Sequence, residues 1–207
     1  MIEVVPAILE KTFEDVQKKV QLIKPLTNFI QLDVMDGVFV PNTTFNNPEQ
    51  AATLDIEMEL HLMIEKPILF IQKWALPNVR RMIVHYEATA NLGQIIKHVK
   101  DAGKEVAVAI NPSTSTFDIK EYLTDLDMVL VMGVEPGFSG QKFHYDVLEK
   151  IKELKKERPD LLIEVDGGVN ERTRDKIVEA GTDILAAASY LLNAENLEGA
   201  IATLKGK

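Results

Sequence analysis

The chain has no cysteine among its 207 residues. A disulfide framework and thiolate metal sites are therefore excluded. Basic residues are scarce: 23 Lys and Arg stand against 32 Asp and Glu, for a formal net charge of -9. A general nucleic-acid surface needs a basic face, so no nucleic-acid partner is expected. A small anionic substrate is not excluded, because a few backbone N–H groups can hold a phosphate locally. No apolar run approaches the roughly 18 residues of a membrane-spanning helix. Met1-Ile2-Glu3-Val4-Val5-Pro6 lacks the basic start and longer apolar core of a signal peptide. The expectation is a cytoplasmic protein with no membrane partner. Gly/Ser linkers, low-complexity tracts and charge blocks are also missing, so residues 1–207 read as one domain.

What the chain does have is a strict alternation of short apolar runs with amphipathic segments. Strands are predicted at Ile2–Pro6, Phe29–Asp33, Glu57–Met63, Arg81–His85, Glu105–Ile110, Met128–Met132, Leu161–Val165 and Asp183–Ala187. They are short, bounded and often β-branched, as buried parallel strands are. Helices are predicted at Thr12–Ile23, Pro48–Leu54, Pro67–Trp74, Leu92–Ala102, Ile119–Thr124, Tyr145–Glu157, Glu171–Ala180 and Leu197–Lys205. Asn170 is expected to cap the helix that follows it, with Thr173 in its first turn. Gly103 and Gly181 follow helices where a left-handed residue fits, and Pro159 helps stop the helix ending near Glu157. Eight β and eight α segments in alternation predict an α/β protein, a single (β/α)8 TIM barrel. An open doubly wound sheet would want a dinucleotide fingerprint after the first strand, and Pro6-Ala7-Ile8-Leu9-Glu10 is not one.

In such a barrel the site lies at the carboxyl ends of the strands. Polar residues predicted there are Gln31, Asp33, Asp36, His61, His85, Glu87, Asn111, Glu135, Asp166 and Ser189. Two segments resemble each other: Leu32-Asp33-Val34-Met35-Asp36-Gly37 and Ile163-Glu164-Val165-Asp166-Gly167-Gly168. Each is an apolar strand running into Asp and Gly. Facing carboxylates at two strand exits can take a proton from one face of a carbon and return one to the other. Alternation places Glu59, His61 and Met63 on one strand face, with Leu60 and Leu62 on the other. His61 is then a metal ligand or proton-relay residue, or else a buried structural histidine. Glycine-rich turns, Glu135-Pro136-Gly137-Phe138-Ser139-Gly140-Gln141-Lys142 and Asp166-Gly167-Gly168-Val169-Asn170, offer anion-binding N–H groups for a phosphate. Met35, Met63 and Met132 fall near strand ends, as core filling or as an apolar ring around a reacting carbon.

Across nearly the whole chain these stretches resemble ribulose-phosphate 3-epimerase. The similar blocks are Pro6-Ala7-Ile8-Leu9, Leu32 to Asn42, His61 to Pro67, Val131 to Phe143 and Ile163 to Val169. The resemblance implies interconversion of D-ribulose 5-phosphate and D-xylulose 5-phosphate through an enediolate. Asp33 and Asp166 match the two acid–base residues. Gly137, Phe138, Ser139, Gly140, Gly167, Gly168 and Ser189 fall at the substrate and phosphate site, together with His61 and with Ala188 at a position of the same clamp. A divalent metal (Zn, Mn, Fe or Co) is implied on Asp33, His61 and Asp166, with no organic cofactor, and so is a homo-oligomer acting on a small sugar phosphate.

Three departures gather at the mouth. Gln31 stands where the family carries His, so the fourth metal ligand is doubtful, because an amide oxygen is a weaker ligand than imidazole for zinc-like ions. Ala7 replaces a Ser and removes a substrate hydroxyl contact. Ala188 replaces a Gly of the phosphate clamp, where its methyl group is expected to crowd the phosphate or shift the backbone. The alternative function is a non-catalytic or altered-specificity sugar-phosphate-binding barrel with a weakened metal site. Barrel decarboxylases and hexulose-phosphate synthases carry a Lys between two Asp residues on a strand, and Val34-Met35 occupies that interval here.

Overall fold

In the computed structural model, which describes residues 2–207, the strands pair in sequence order, all parallel, and the sheet closes on itself. The strands are β1 (Glu3–Ile8), β2 (Phe29–Met35), β3 (Glu57–Met63), β4 (Val79–His85), β5 (Glu105–Ile110), β6 (Met128–Met132), β7 (Leu162–Asp166) and β8 (Ile184–Ala187). Closure is made by β1 against β8, with Val5 beside Ala186. The helices are α1 (Phe13–Ile23), α2 (Pro48–Ala51), α3 (Ile68–Trp74), α4 (Leu92–Asp101), α5 (Val147–Glu157), α6 (Arg174–Ala180), α7 (Ser189–Leu192) and α8 (Leu197–Lys205). The segment Thr116–Asp125, between β5 and β6, is a run of 3-10 turns and not a regular α-helix. The expected (β/α)8 barrel is therefore the architecture.

Local chemistry explains the elements. Thr12 caps α1 by accepting a hydrogen bond from the Asp15 N–H at 3.2 Å. Val16, Val20 and Ile23 recur on one face of that helix and are buried. Along β2 every residue is buried. Its outward set, Ile30, Leu32 and Val34, joins the large apolar layer between sheet and helices. Its inward set is Gln31, Asp33 and Met35. The same alternation in β3 sends Leu60 and Leu62 outward and Glu59, His61 and Met63 inward. The rest of the interior is filled by a separate apolar cluster that includes Val5, Ile83, Ala107, Leu130 and Ile184.

Several boundaries differ from expectation. β2 runs on to Met35, so Asp33 lies inside the strand and not at its exit. The loop beyond is tied back to it, with the Thr44 hydroxyl donating to the Asp33 carbonyl at 2.6 Å and accepting from the Met35 N–H at 2.9 Å. Asn170 does not cap α6. Its side chain accepts from the Arg172 N–H at 2.9 Å in a local turn, and the helix starts only at Arg174. The short α7 was not anticipated. Gly103 and Gly181 do take left-handed conformations after their helices, with φ of 71° and 109°. No helix of the described residues is long and apolar enough to cross a membrane.

Candidate active site

Asp33 on β2, His61 on β3 and Asp166 on β7 meet at the carboxyl end of the barrel. Register explains the first pair, because Asp33 lies directly beside His61 in the sheet. Asp166 reaches them from across the barrel. His61 Nδ1 lies 3.2 Å from Asp33 Oδ1 and 3.4 Å from Asp166 Oδ2. Gln31 is buried beneath and between the carboxylates. Its amide nitrogen donates to Asp33 Oδ1 at 2.8 Å and to Asp166 Oδ2 at 2.9 Å. The sequence suggested the amide oxygen as a doubtful ligand, but the nitrogen faces the site. Two carboxylates at this separation call for donors, which only the N–H2 end supplies.

Burial raises Asp33 above the ordinary carboxylate range, and the charge of Asp166 adds to it, against the opposing hydrogen bond from His61. For His61 burial alone would lower the pKa. The hydrogen bonds and charges of Asp166 and Asp33 outweigh it and raise His61 to about 9. His61 is then an imidazolium at neutral pH while no cation is bound. Its other nitrogen, Nε2, lies 2.8 Å from His85 Nε2, and the two rings stack at 5.0 Å. Burial lowers His85, which leaves it neutral and able to accept from His61. His85 Nδ1 then donates to Glu87 at 3.3 Å. Glu87 is held by the Asn111 N–H at 2.8 Å and by the Thr114 hydroxyl.

The other predicted residues separate into those at the site and those serving turns. Met35, Met63 and Met132 are buried and line the cavity above the carboxylates, as do Gly137, Phe138, Ser139, Gly140, Gly167, Gly168, Ala188 and Ser189. The cavity measures about 380 Å³, within the range of small-ligand sites. Gly167 has φ 96°, and a Cβ there would come within 2.5 Å of Val134. The turns after β6 and β7 are thus packed too closely for any side chain at that position. Ala188 has φ −98°, so it needs no glycine, and the feared backbone shift is not required. Ala7 is fully buried at the register of Gln31 and does not line the cavity. Asp36 is a turn former whose oxygens accept from the N–H groups of Val38, Phe39 and Glu65. Glu135 is exposed. Leu9, Tyr190 and Asn193 also line the cavity, and none carried a sequence signal beyond its neighbourhood.

The donor set suits a divalent cation. Asp33, His61 and Asp166 each offer a ligand atom, all within 4.8 Å of one another. Tetrahedral ligands at about 2.0 Å from an ion lie roughly 3.3 Å apart, close to the spacings His61 makes with the two carboxylates. Gln31 Oε1 is buried without a hydrogen-bond partner, an oxygen free to join them if the amide turns.

A closed (β/α)8 barrel with ionisable groups gathered in a cavity at its carboxyl end belongs to the class of barrel enzymes. Solved structures with the same fold include KGPDC from Streptococcus mutans, with a TM-score of 0.75 at 14% identity, covering 100% of this chain and 96% of that one. Another is 3-hexulose-6-phosphate synthase from Salmonella typhimurium, with a TM-score of 0.75 at 15% identity, covering 99% and 97%. At these identities the likeness shows the fold. The model of the Ribulose-phosphate 3 epimerase family matches residues 3–192. Ribulose-phosphate 3-epimerase of Bacillus subtilis (strain 168) is 40% identical over 215 residues, covering 100% of this chain and 99% of that protein. The Helicobacter pylori (strain J99) enzyme is 33% identical, covering 99% and 97%. The chain belongs to the ribulose-phosphate 3-epimerase family, whose members are isomerases acting on carbohydrates.

Proposed function

We propose that this protein interconverts D-ribulose 5-phosphate and D-xylulose 5-phosphate, with Asp33 and Asp166 as the proton-transfer pair. The observation that carries the reading is their arrangement. Two carboxylates from opposite sides of the barrel converge on the same nitrogens, at the floor of a cavity walled by three methionines and two glycine-rich turns. The pair must hold one proton between them, and the raised Asp33 is the member that burial favours as the acid. Asp166, as the base, then removes the C3 proton, the electron pair moves toward the C2 carbonyl, and the enediolate forms. Asp33 delivers its proton to the opposite face of C3. Each turnover leaves the proton on the other carboxylate, and the reverse reaction or exchange with solvent resets the pair.

Met35, Met63 and Met132 keep water from the carbanion-like centre. The phosphate end of the substrate is assigned to Gly167, Gly168, Ala188 and Ser189, with the Gly137–Gly140 loop closing above it. Asn42 Nδ2 donates to the Gly137 carbonyl at 2.8 Å, which joins that loop to the one after β2. Asp33, His61, Asp166 and, with its amide turned, Gln31 would hold a divalent cation such as Zn2+, Mn2+, Fe2+ or Co2+. When bound, such a cation supplies Lewis-acid stabilisation of negative charge on the substrate oxygens. The test is incubation with D-ribulose 5-phosphate in D2O, followed by NMR at C3. Deuterium is expected there; its absence with and without each of the four cations would sink the reading.

A further inference from the structure

Gln31 makes both of its amide hydrogens count. One goes to Asp33 Oδ1 at 2.8 Å and the other to Asp166 Oδ2 at 2.9 Å. Those same two oxygens flank His61 Nδ1, and the two nitrogens lie 3.5 Å apart. The four atoms close a ring in which donors and acceptors alternate. Like charges on β2 and β7 repel when brought together, and N–H donors set between them offset that repulsion without an ion. A cation, in contrast, needs lone pairs, and an amide N–H2 has none to give. The lone pairs of this side chain are on Oε1, which is buried and unpartnered on the other side. The orientation that bridges the carboxylates therefore cannot ligate, and the orientation that ligates gives up both bridges.

We propose that Gln31 is a positioning residue with two amide orientations. With nitrogen inward it clamps Asp33 and Asp166 together in the ion-free protein. With oxygen inward it completes the donor set of a divalent cation. The proposal rests on the reading of Asp33 and Asp166 as the reacting pair and extends it. Cation binding in this chain is a competition against an internal hydrogen-bonded bridge, not the filling of an open site. A histidine at this position would give up less, because its neutral ring presents a lone pair directly.

The test uses the full-length protein labelled with 15N and stripped with chelator, with the Gln31 side-chain amide assigned by its loss in Gln31→Leu. In the stripped protein the Gln31 amide protons are expected to exchange with solvent at least about tenfold more slowly than those of exposed glutamines. One equivalent of Zn2+ is expected to shift both resonances and to lower that protection, because both hydrogens lose their carboxylate acceptors. Gln31→His is expected to bind Zn2+ at least about tenfold more tightly in chelator competition. Fast exchange in the stripped protein, protection unchanged by bound zinc, or equal zinc affinity in Gln31→His would each overturn the proposal. None of these readouts uses substrate. Loss of C3 exchange in the zinc-loaded protein would remove the epimerase reading while leaving the bridge to stand or fall on its own signals.

Discussion

The two ends of the barrel interior both bury ionisable groups, on the same strands and only two residues apart. At the carboxyl end are His61 on β3 and Asp166 on β7; one inward layer below are Glu59 and Glu164. Toward the amino end the compensation is a fixed cation. Arg81, 3% exposed, places Nη1 2.8 Å from Glu59 and Nη2 2.8 Å from Glu105. A guanidinium stays charged at any pH the protein meets. At the carboxyl end no Lys or Arg among the described residues lines the cavity. The carboxylates are balanced by His61, which can lose its proton, and by Gln31, which can turn. One end is compensated by a group that keeps its charge; the other is compensated by exchangeable groups and opens into the cavity. A buried carboxylate is therefore not by itself a mark of chemistry. What distinguishes the proposed reacting pair is that its partners can leave.

The largest effects separate the two ends most sharply. Asp33→Asn or Asp166→Asn is expected to lower the epimerisation rate by about 10²–10⁴-fold or more in protein that remains folded. Arg81→Met is expected to do the reverse, costing roughly 3–5 kcal/mol in urea unfolding because Glu59 and Glu164 lose their cation. Turnover per folded molecule should stay near that of the wild type. An Arg81 variant that is stable but inactive would erase the distinction.

Smaller effects follow from titration. His61 is raised from 6.5 to about 9 in the folded, ion-free protein. Its contribution to stability is fully present below pH 6.5 and is lost as pH rises toward about 9. That is a change on the order of 3 kcal/mol. Urea unfolding of chelator-stripped wild type and His61→Gln across that window should show their difference shrinking as pH rises; a constant difference would contradict it. Glu164 is pushed well above its ordinary 4.5 by burial, and by the charge of Glu59 beside it. Its ionisation opposes folding above that pH. Glu164→Gln is then expected to stabilise the protein by about 1 kcal/mol at pH 7. The gain should fade below pH 4.5, as acid-unfolding curves would show.

The barrel was legible because its strands are short β-branched runs, and a period of two correctly sent His61 inward and Leu60 outward. Asp33 and Asp166 stood out because each sits in an apolar strand that runs on into glycine, Asp33 inside β2 and Asp166 at the end of β7. The interior ion cluster was not. Glu59, Arg81 and Glu164 read as isolated charges in separate strands, and only closure of the barrel brings them within reach of one another. The His85–Glu87 support behind His61 was seen as strand-end polarity but had no assigned partner, since ring-to-ring contact depends on the register of β3 and β4. Gln31 was placed on the correct face, yet which end of its amide points inward is decided by two carboxylates, one of them 135 positions away. Asn170 misled because one side chain serves equally as helix cap or local turn, and the start of α6 decided between them.

Two carboxylates acting on opposite faces of one carbon leave an isotopic signature that a single shuttling base does not. In D2O, at the first few per cent of conversion from D-ribulose 5-phosphate, the D-xylulose 5-phosphate formed should carry deuterium at C3 in essentially every molecule. The incoming proton comes from the second, solvent-equilibrated carboxylate. Product that retains the original hydrogen at C3 would contradict the assignment of Asp33 and Asp166 as separate donor and acceptor.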